Sequence, residues 1–128
     1  MAATVRQLKA GHVLFMDGDV SQSIFIVKRG AISIRKKKLD QTFVEIAKIV
    51  SGGVIGEMSF FDGKPRSATA VASNDAEVIE ITFEDMEDIY KNIPDYIKTI
   101  VSSLAERLRT ANQAIIHLQK QLETKNKT

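Results

Sequence analysis

The chain has 128 residues, 44% of them hydrophobic, and a net charge of only +2, a composition that predicts one soluble domain and disfavours disorder, nucleic acid or an acidic membrane surface as a partner. Because the chain contains no cysteine, a disulfide framework, a thiolate metal site and a cysteine nucleophile are excluded. No apolar run approaches the roughly 18 residues of a membrane span, and the N-terminus lacks the apolar core of a signal peptide, so we expect a cytoplasmic protein without a membrane partner.

The first predicted region, from about Val5 to Thr82, is a series of short apolar strands separated by turns. The segments SIFIVKRG and AISIRKK flank Gly30 and predict paired strands joined by a tight turn. The segments FVEIAKIV and AEVIEIT alternate apolar and polar residues, which is typical of half-buried strands. Strands at this spacing, with turns rich in Gly and Asp, indicate a mainly β fold of the β-barrel or jelly-roll type with C-terminal helices.

The second predicted region is helical and begins near Thr82. Thr82 is a suitable N-cap for a helix over residues 83–91, and Glu84 and Asp85 supply the acidic first turn that the helix dipole favours. Pro94 fits the first turn of a longer helix, because its fixed φ and missing N–H are tolerated there. We therefore expect a short helix and then a long one after the strands.

The long helix is expected to reach about Glu123 and carries a sustained heptad. Its apolar residues recur at alternating spacings of four and three: Ile97, Val101, Leu104, Leu108, Ala111, Ile115, Leu118 and Leu122. A period of about 3.5 residues is typical of a coiled-coil seam, so we predict a homodimer through residues 97–122. The domain is thus expected to comprise a β core, residues 1–92, and a long coiled-coil or lid helix, residues 93–128.

The segment GGVIGEMSFFDGKPRSATAVA, residues 52–72, holds the candidate chemistry. Gly56 permits a sharp turn or a close approach of the backbone to a ligand. A helical turn beginning at Gly56-Glu57 points free N–H groups outward, which forms an anion site. Arg66 opens the next predicted strand and brings a planar, bidentate positive charge, which suits phosphate. A carboxylate beside a phosphate site is unexpected, because like charges repel. A sugar hydroxyl that donates a hydrogen bond to Glu57 explains its presence.

This segment resembles the phosphate-binding cassette of the cyclic-nucleotide-binding domain family, of the catabolite activator protein and protein kinase A regulatory subunit type. The family pattern is Gly-Glu-(Leu/Met)-(Ala/Ser), a short helix, and then Arg-(Ala/Ser/Thr)-Ala. This chain has Gly56-Glu57-Met58-Ser59 and Arg66-Ser67-Ala68-Thr69, with nine residues from Glu57 to Arg66. The resemblance extends over nearly the whole chain and implies that the β core grips a cyclic purine monophosphate.

The resemblance also implies a role for individual residues. Glu57 is expected to accept the ribose 2′-hydroxyl, and Arg66 is expected to pair with the cyclic phosphate. The other cassette residues expected at the ligand, through close approach, backbone N–H groups or a hydroxyl, are Gly56, Met58, Ser59, Ser67 and Ala68.

In this family the long helix closes over the base, which makes its middle a candidate for base recognition. Ala111 and Asn112 fall where the catabolite activator protein places a Thr-Ser pair. Asn112 both donates and accepts, so we predict that it contacts the purine edge; Thr110 is a nearby alternative, and Asn112 as an ordinary surface residue is another. Cyclic AMP is the expected ligand because Arg66-Ser67-Ala68 resembles the catabolite activator protein. Cyclic GMP stays possible, because Ser67 is able to meet the guanine amino group.

Other interpretations of the cassette stay open. One alternative is that Arg66 has no role in binding a ligand and forms an ordinary surface ion pair with Asp62 or Glu57. The whole cassette would be a scaffold if it no longer bound nucleotide. Phe60 and Phe61 are predicted to be core residues rather than groups that stack on the base.

The leading functional class is a ligand-sensing regulatory domain, and the alternative is a ligand-free structural dimerisation domain with a degenerate pocket. An enzyme is disfavoured, because phosphodiester hydrolysis needs metal ligands or a positioned base and His12 and His117 are isolated in the sequence. No catalytic residue, metal or cofactor is therefore predicted. The run Arg35–Lys38 is interpreted as a solvated hairpin tip rather than a nucleic-acid contact. A complete transcription factor of the catabolite-activator type needs a helix-turn-helix after the long helix, and none precedes Thr128, so one interpretation is a regulatory fragment whose output domain follows the coiled coil.

Overall fold

The computed structural model describes residues 3–126, except for the side chains of residues 61, 62, 112, 116, 119, 123, 125 and 126. Its strands are β1 (Thr4–Leu8), β2 (Val13–Phe15), β3 (Ser23–Arg29), β4 (Ala31–Lys37), β5 (Phe43–Val50), β6 (Val54–Ile55), β7 (Thr69–Ala72) and β8 (Ala76–Thr82). Its helices are α1 (Glu57–Asp62), α2 (Phe83–Lys91) and α3 (Asp95–Asn126). The chain divides into two compact units, the first ending at Lys91 and the second beginning at Asn92.

The strands form two four-stranded sheets, which confirms the predicted mainly β fold with C-terminal helices. The first sheet has the order β1-β8-β3-β6, and the second has the order β2-β7-β4-β5. Neighbouring strands are antiparallel in both sheets. Neither sheet closes on itself, so the arrangement is the two-sheet jelly roll rather than a closed barrel.

The core of the first unit is built from apolar side chains of both sheets. β7 is buried at all four of its positions, because it is a central strand of its sheet. Its small alanines leave room for larger side chains such as Val27, Ile32 and Val78, which are fully buried. The core cluster comprises Leu8, Leu14, Phe25, Val27, Ile32, Ile55, Ala70, Ala72, Ala76 and Val78.

The prediction that the strands on either side of Gly30 pair with each other is wrong. β3 pairs with β6 and β8, whereas β4 pairs with β5 and β7, so the chain passes from one sheet to the other at Gly30. Gly30 has a φ of 82°, and a Cβ there would lie 2.6 Å from the Asp75 carbonyl oxygen and 2.7 Å from the Ala76 Cα. The close approach of this backbone to the turn before β8, rather than a hairpin ladder, therefore explains the glycine.

The helix α2 spans the predicted residues 83–91, and its N-cap is also as predicted. The Asp85 N–H donates to Thr82 Oγ1 at 3.2 Å, which satisfies one of the free donors in the first turn. The Phe83 N–H donates to the Gln22 carbonyl oxygen at 2.8 Å, so the start of α2 is tied to the segment that leads into β3.

The helix α3 extends to Asn126, beyond the expected end near Glu123. Five apolar side chains of the predicted seam are each at least half exposed: Leu104, Leu108, Ile115, Leu118 and Leu122. The first two seam positions, Ile97 and Val101, are instead half-buried, and Tyr96 and Ile100 are exposed beside them. Within residues 3–126, no helix is long and apolar enough to span a membrane.

Candidate functional site

The cassette is a loop and a short helix between β6 and β7. Gly56 adopts the left-handed conformation with φ 86° and ends β6, and α1 begins at the next residue. Gly63, with φ 66°, ends α1, and its N–H donates to the Ser59 carbonyl oxygen at 3.0 Å. Arg66 follows in irregular structure and does not open a strand as predicted, because β7 begins at Thr69.

Arg66 is an interior residue, with only 5% of its surface exposed. Its Nη2 donates to the Ser23 carbonyl oxygen at 2.7 Å, and its Nη1 lies 3.5 Å from the Gly56 carbonyl oxygen. Its Nε has no hydrogen-bond acceptor among the described residues. Arg66 is therefore not a surface residue, as the ion-pair interpretation required; the side chain of Asp62, one of its two suggested partners, lies outside the described residues.

The backbone of Arg66 is fixed by the loop between β2 and β3. The Arg66 N–H donates to the Asp19 carbonyl oxygen at 2.9 Å, and the Gly18 N–H donates to the Arg66 carbonyl oxygen at 2.8 Å. The neighbouring Asp17 N–H donates to Thr69 Oγ1 at 3.0 Å. The turn at residues 17–19 thus holds the arginine in place.

The charge of Arg66 is not neutralised by an ion pair with any described carboxylate. Burial removes water from the guanidinium and lowers the pKa of Arg66 below its ordinary value, while the more distant carboxylates of Glu80 and Asp19 act in the opposite direction. An arginine nevertheless stays protonated in a protein. The interior of the first unit therefore contains a cation in contact with carbonyl oxygens and with the rings of Phe15 and Phe25.

Gly56 is required by the position of the Arg66 side chain. A Cβ at Gly56 would overlap Arg66 Nη1 and lie 3.4 Å from the Ser23 carbonyl oxygen. Any side chain here would also have to adopt the left-handed backbone conformation. The glycine that begins the cassette motif therefore makes room for the arginine that ends it.

The remaining predicted site residues differ in exposure. Glu57, Met58 and Ser59 are half-buried on α1, Ser67 is exposed, and Ala68 is buried. The Glu57 carboxylate forms no hydrogen bond or ion pair with another described side chain. Asn112 lies on α3, and its side chain is outside the described residues, so its contact with a base stays a prediction.

Three residues near the cassette were missed by sequence reasoning. Ser23 supplies a backbone carbonyl to Arg66, and no side-chain pattern indicates such a role. The Ser23 hydroxyl donates to Glu80 Oε2 at 2.7 Å. Lys36 was assigned to a solvated hairpin tip, but it lies within β4 and its Nζ donates to the Ser67 carbonyl oxygen at 2.5 Å. Strand alternation within the basic run would have indicated that Lys36 points away from its neighbours.

The cassette helix is in contact with α2 through aromatic side chains. The Phe60 ring lies 5.4 Å from the Phe83 ring and 6.4 Å from the Tyr90 ring, both in edge-to-face arrangements. Phe60 is half-buried and packs against α2, whereas the Phe61 side chain lies outside the described residues.

A family model matches most of the first unit. Residues 5–92 match the model of the cyclic nucleotide-binding domain. Together with the two sheets and the cassette around Arg66, this match establishes that the chain belongs to the cyclic nucleotide-binding domain family.

Individual relatives agree with that assignment. The Cyclic AMP receptor protein of Thermus thermophilus is 31% identical over 102 residues, which cover 80% of this chain and 47% of that protein. The crystal structure of the Thermus thermophilus catabolite activator protein has a TM-score of 0.74 at 29% identity, over 91% of this chain and 55% of that one. The cGMP-bound form of the EAL enzyme Bd1971 has a TM-score of 0.73 at 22% identity, over 93% of this chain and 32% of that one, and shows a likeness of fold alone. The chain spans about half the length of the curated relatives it matches.

Proposed function

We propose that this domain is a regulatory sensor that binds a cyclic purine monophosphate, cyclic AMP in preference to cyclic GMP, and relays its occupancy through a C-terminal dimer helix. Arg66 pairs with the cyclic phosphate, and Glu57 accepts the ribose 2′-hydroxyl. The remaining contacts come from Gly56, Met58, Ser59, Ser67, Ala68 and Asn112. The domain binds its ligand without converting it.

The buried guanidinium of Arg66 carries this proposal. Interior charges are normally paired, because an unpaired ion loses its hydration at a cost of several kcal/mol. Arg66 is 5% exposed, and among the described residues it has no ion pair with a carboxylate and no acceptor for its Nε. An anionic ligand supplies the missing counter-charge, and a phosphate matches the planar guanidinium with parallel hydrogen bonds.

Glu57 gives the site its second requirement, a sugar. Glu57 is half-buried and follows Gly56 in the chain, and the Gly56 carbonyl oxygen lies 3.5 Å from Arg66 Nη1. A carboxylate this near to a phosphate site repels the anion unless it accepts a hydrogen bond from the same ligand. The ribose 2′-hydroxyl is such a donor, so the pair of residues favours a nucleotide over inorganic phosphate.

The preference for cyclic AMP rests on likeness to named relatives. Arg66-Ser67-Ala68 resembles the catabolite activator protein, and the relative from Thermus thermophilus is named a Cyclic AMP receptor protein. Cyclic GMP is the competing ligand, because the exposed Ser67 is able to meet the guanine amino group. The proposed sensor is therefore tested with both nucleotides.

The first step of the relay is the contact between α1 and α2. Phe60 of the cassette helix packs against Phe83 and Tyr90 of α2, so a ligand that moves α1 also changes the packing of α2. Ligand shifts the position of a helix only by its differential affinity for the two positions. We expect α2 and α3 to become more protected from hydrogen exchange when cyclic AMP binds. Unchanged exchange in both helices would remove the relay and leave binding.

The dimer is proposed from the exposed seam of α3. Leu108, Leu118 and Leu122 are 52%, 57% and 60% exposed, and a single helix gains nothing by exposing such a stripe to water. A parallel, two-fold pair of α3 helices buries it. Sedimentation of the wild-type chain at micromolar concentration is expected to give a dimer that Leu108→Asp weakens and the exposed control Lys120→Asp does not. A monomeric wild type contradicts the seam.

Isothermal titration calorimetry tests the binding directly. Cyclic AMP is expected to bind at one site per chain, more tightly than cyclic GMP and more tightly than linear 5′-AMP, whose untethered dianionic phosphate misfits the pocket. At 100 times the dissociation constant, cyclic AMP is expected to stabilise the fold by about 2.7 kcal/mol. If neither cyclic purine produces heat or a thermal shift, the sensor function is overturned and the ligand-free dimerisation domain is left as the function.

A further inference from the structure

Two phenylalanines from different sheets contact the Arg66 guanidinium, and we name them the aromatic cradle. The Arg66 Cζ lies 4.3 Å from the centroid of the Phe15 ring and 5.6 Å from that of the Phe25 ring. The two rings are 6.0 Å apart and tilted by 35°. Phe15 ends β2 in one sheet and Phe25 lies in β3 of the other, so the cation is held where the two sheets face each other.

The aromatic cradle stabilises a charge in a different way from a carboxylate. An aromatic face attracts a cation through its quadrupole and lies against the flat face of the guanidinium. The N–H donors of arginine point outward in the plane of that group, so they are not consumed by a ring stacked on it. A carboxylate would occupy those donors and cancel the charge, and an incoming phosphate would then have to displace it.

The two carboxylates that influence Arg66 electrostatically are engaged elsewhere. Asp19 Oδ2 accepts from the Met16 N–H at 2.9 Å. Glu80 accepts from the Ser23 hydroxyl at 2.7 Å and from Arg6 Nη1 at 3.3 Å. These bonds keep both carboxylates out of ion-pair distance of the guanidinium, so the rings and the two carbonyl oxygens are its immediate partners among the described residues.

We propose that Phe15 and Phe25 are positioning residues for phosphate recognition, which hold the buried Arg66 cation in place without neutralising it. This inference rests on the proposed function and assigns a role to two apolar residues outside the cassette motif. The expected consequence is that removing a ring lowers affinity for cyclic AMP through Arg66 and not through the fold.

The test compares Phe15→Leu with Phe15→Tyr by titration of cyclic AMP. The strength of a cation–π contact rises as the contact is removed from water, so Phe15→Leu is expected to weaken binding by about 3- to 30-fold. Phe15→Tyr keeps the ring and is expected to stay within about twofold of wild type. Phe43→Leu is the matched control, because Phe43 is 55% exposed and its ring contacts Lys37 at 5.6 Å on the surface. Denaturant midpoints of all the variants separate lost binding from lost folding.

A double-mutant cycle gives the readout that a merely structural role would not produce. In an Arg66→Ala background, Phe15→Leu is expected to change affinity by less than about twofold, because the group it acts through is gone. Equal losses in both backgrounds, or a Phe15→Tyr variant as weak as Phe15→Leu, overturn the aromatic cradle alone. A wild-type chain that binds neither cyclic purine overturns the proposed function and the aromatic cradle together.

Discussion

Two groups of charges in the first unit are arranged in opposite ways. At the surface, Lys28 and Arg29, which are 57% and 67% exposed, pair with the half-buried Glu77 at 3.3 Å and 3.8 Å. In the interior, Arg66 is 5% exposed and has no ion pair with a described carboxylate. Exposed pairs contribute about 0–1 kcal/mol each, whereas a buried unpaired ion is strongly unfavourable. Stability alone favours the opposite distribution of counter-charges, which is why we assign Arg66 to a ligand.

The largest expected effect comes from removing the interior charge. Arg66→Ala removes a bidentate, charge-assisted contact of about 1.5–3 kcal/mol or more, so affinity for cyclic AMP falls by about 10- to 100-fold or beyond. The measurement is a calorimetric titration at fixed ionic strength. Arg29→Ala, a surface arginine paired with Glu77, is the control and leaves affinity unchanged. Equal affinities of wild type and Arg66→Ala would show that phosphate is held elsewhere.

Gly56→Ala tests whether the room for Arg66 matters as much as its charge. The added Cβ overlaps Arg66 Nη1, and the left-handed backbone adds strain of about 1–3 kcal/mol. Binding of cyclic AMP is expected to fall by about tenfold or more, together with the melting temperature. Gly52→Ala provides the control, because Gly52 has a φ of 88° with no atom within 4 Å of its added Cβ. Its strain is the same, so it loses stability without losing affinity. If the two variants bind equally well, the fit between Gly56 and Arg66 does not matter.

Glu57→Ala tests whether Glu57, which has no ion pair with another described residue, also serves the ligand. Because the variant loses a hydrogen bond to a charged group, its affinity for cyclic AMP is expected to fall by about tenfold. The diagnostic comparison is with the 2′-deoxy analogue, because wild type should prefer the ribose and the variant should not. A variant that still disfavours the deoxy analogue as strongly as wild type would show that Glu57 does not contact the hydroxyl.

Lys36→Ala is expected to have the smallest effect and separates exposed from buried charge at the same site. Lys36 contacts the Ser67 carbonyl oxygen from an exposed position. Its loss is therefore expected to weaken the binding of cyclic AMP by about two- to fivefold at low salt. Screening should remove this difference at 1 M salt, where the Debye length is about 3 Å. Lys28→Ala, which removes a surface base paired with Glu77, should change nothing at either salt concentration. An effect of Lys36→Ala that persists at high salt would contradict its assignment as an exposed contact.

Much of the site could be predicted from the sequence because its motif is local. Gly56, Glu57 and Arg66 lie within one short segment. Their spacing indicates a tight turn, a short helix and a segment that leads back to the sheet. The burial of Arg66 was not predictable, because it depends on Ser23, Phe15 and Phe25, which come from distant strands. A backbone carbonyl and a core ring leave no functional signature in a sequence.

The fold was predictable in class but not in strand pairing. Alternating apolar residues locate strands, and the cap at Thr82 located α2, since both are local properties. The strands around Gly30 were expected to pair with each other, but adjacency in sequence does not determine which sheet a strand joins. That choice depends on the close approach of Gly30 to Asp75 and Ala76, residues more than forty positions away.

The central claim is that Arg66 serves the ligand and not the stability of the fold. Its most direct test is the free energy of unfolding of wild type and Arg66→Met, each measured with and without saturating cyclic AMP. Replacing an unneutralised buried charge by an apolar side chain of similar length removes a desolvation cost. We therefore predict that Arg66→Met is at least as stable as wild type without ligand. With cyclic AMP at 100 times the wild-type dissociation constant, wild type gains about 2.7 kcal/mol and the variant gains far less. A variant that is several kcal/mol less stable without ligand, yet gains as much from cyclic AMP as wild type does, would contradict the assignment.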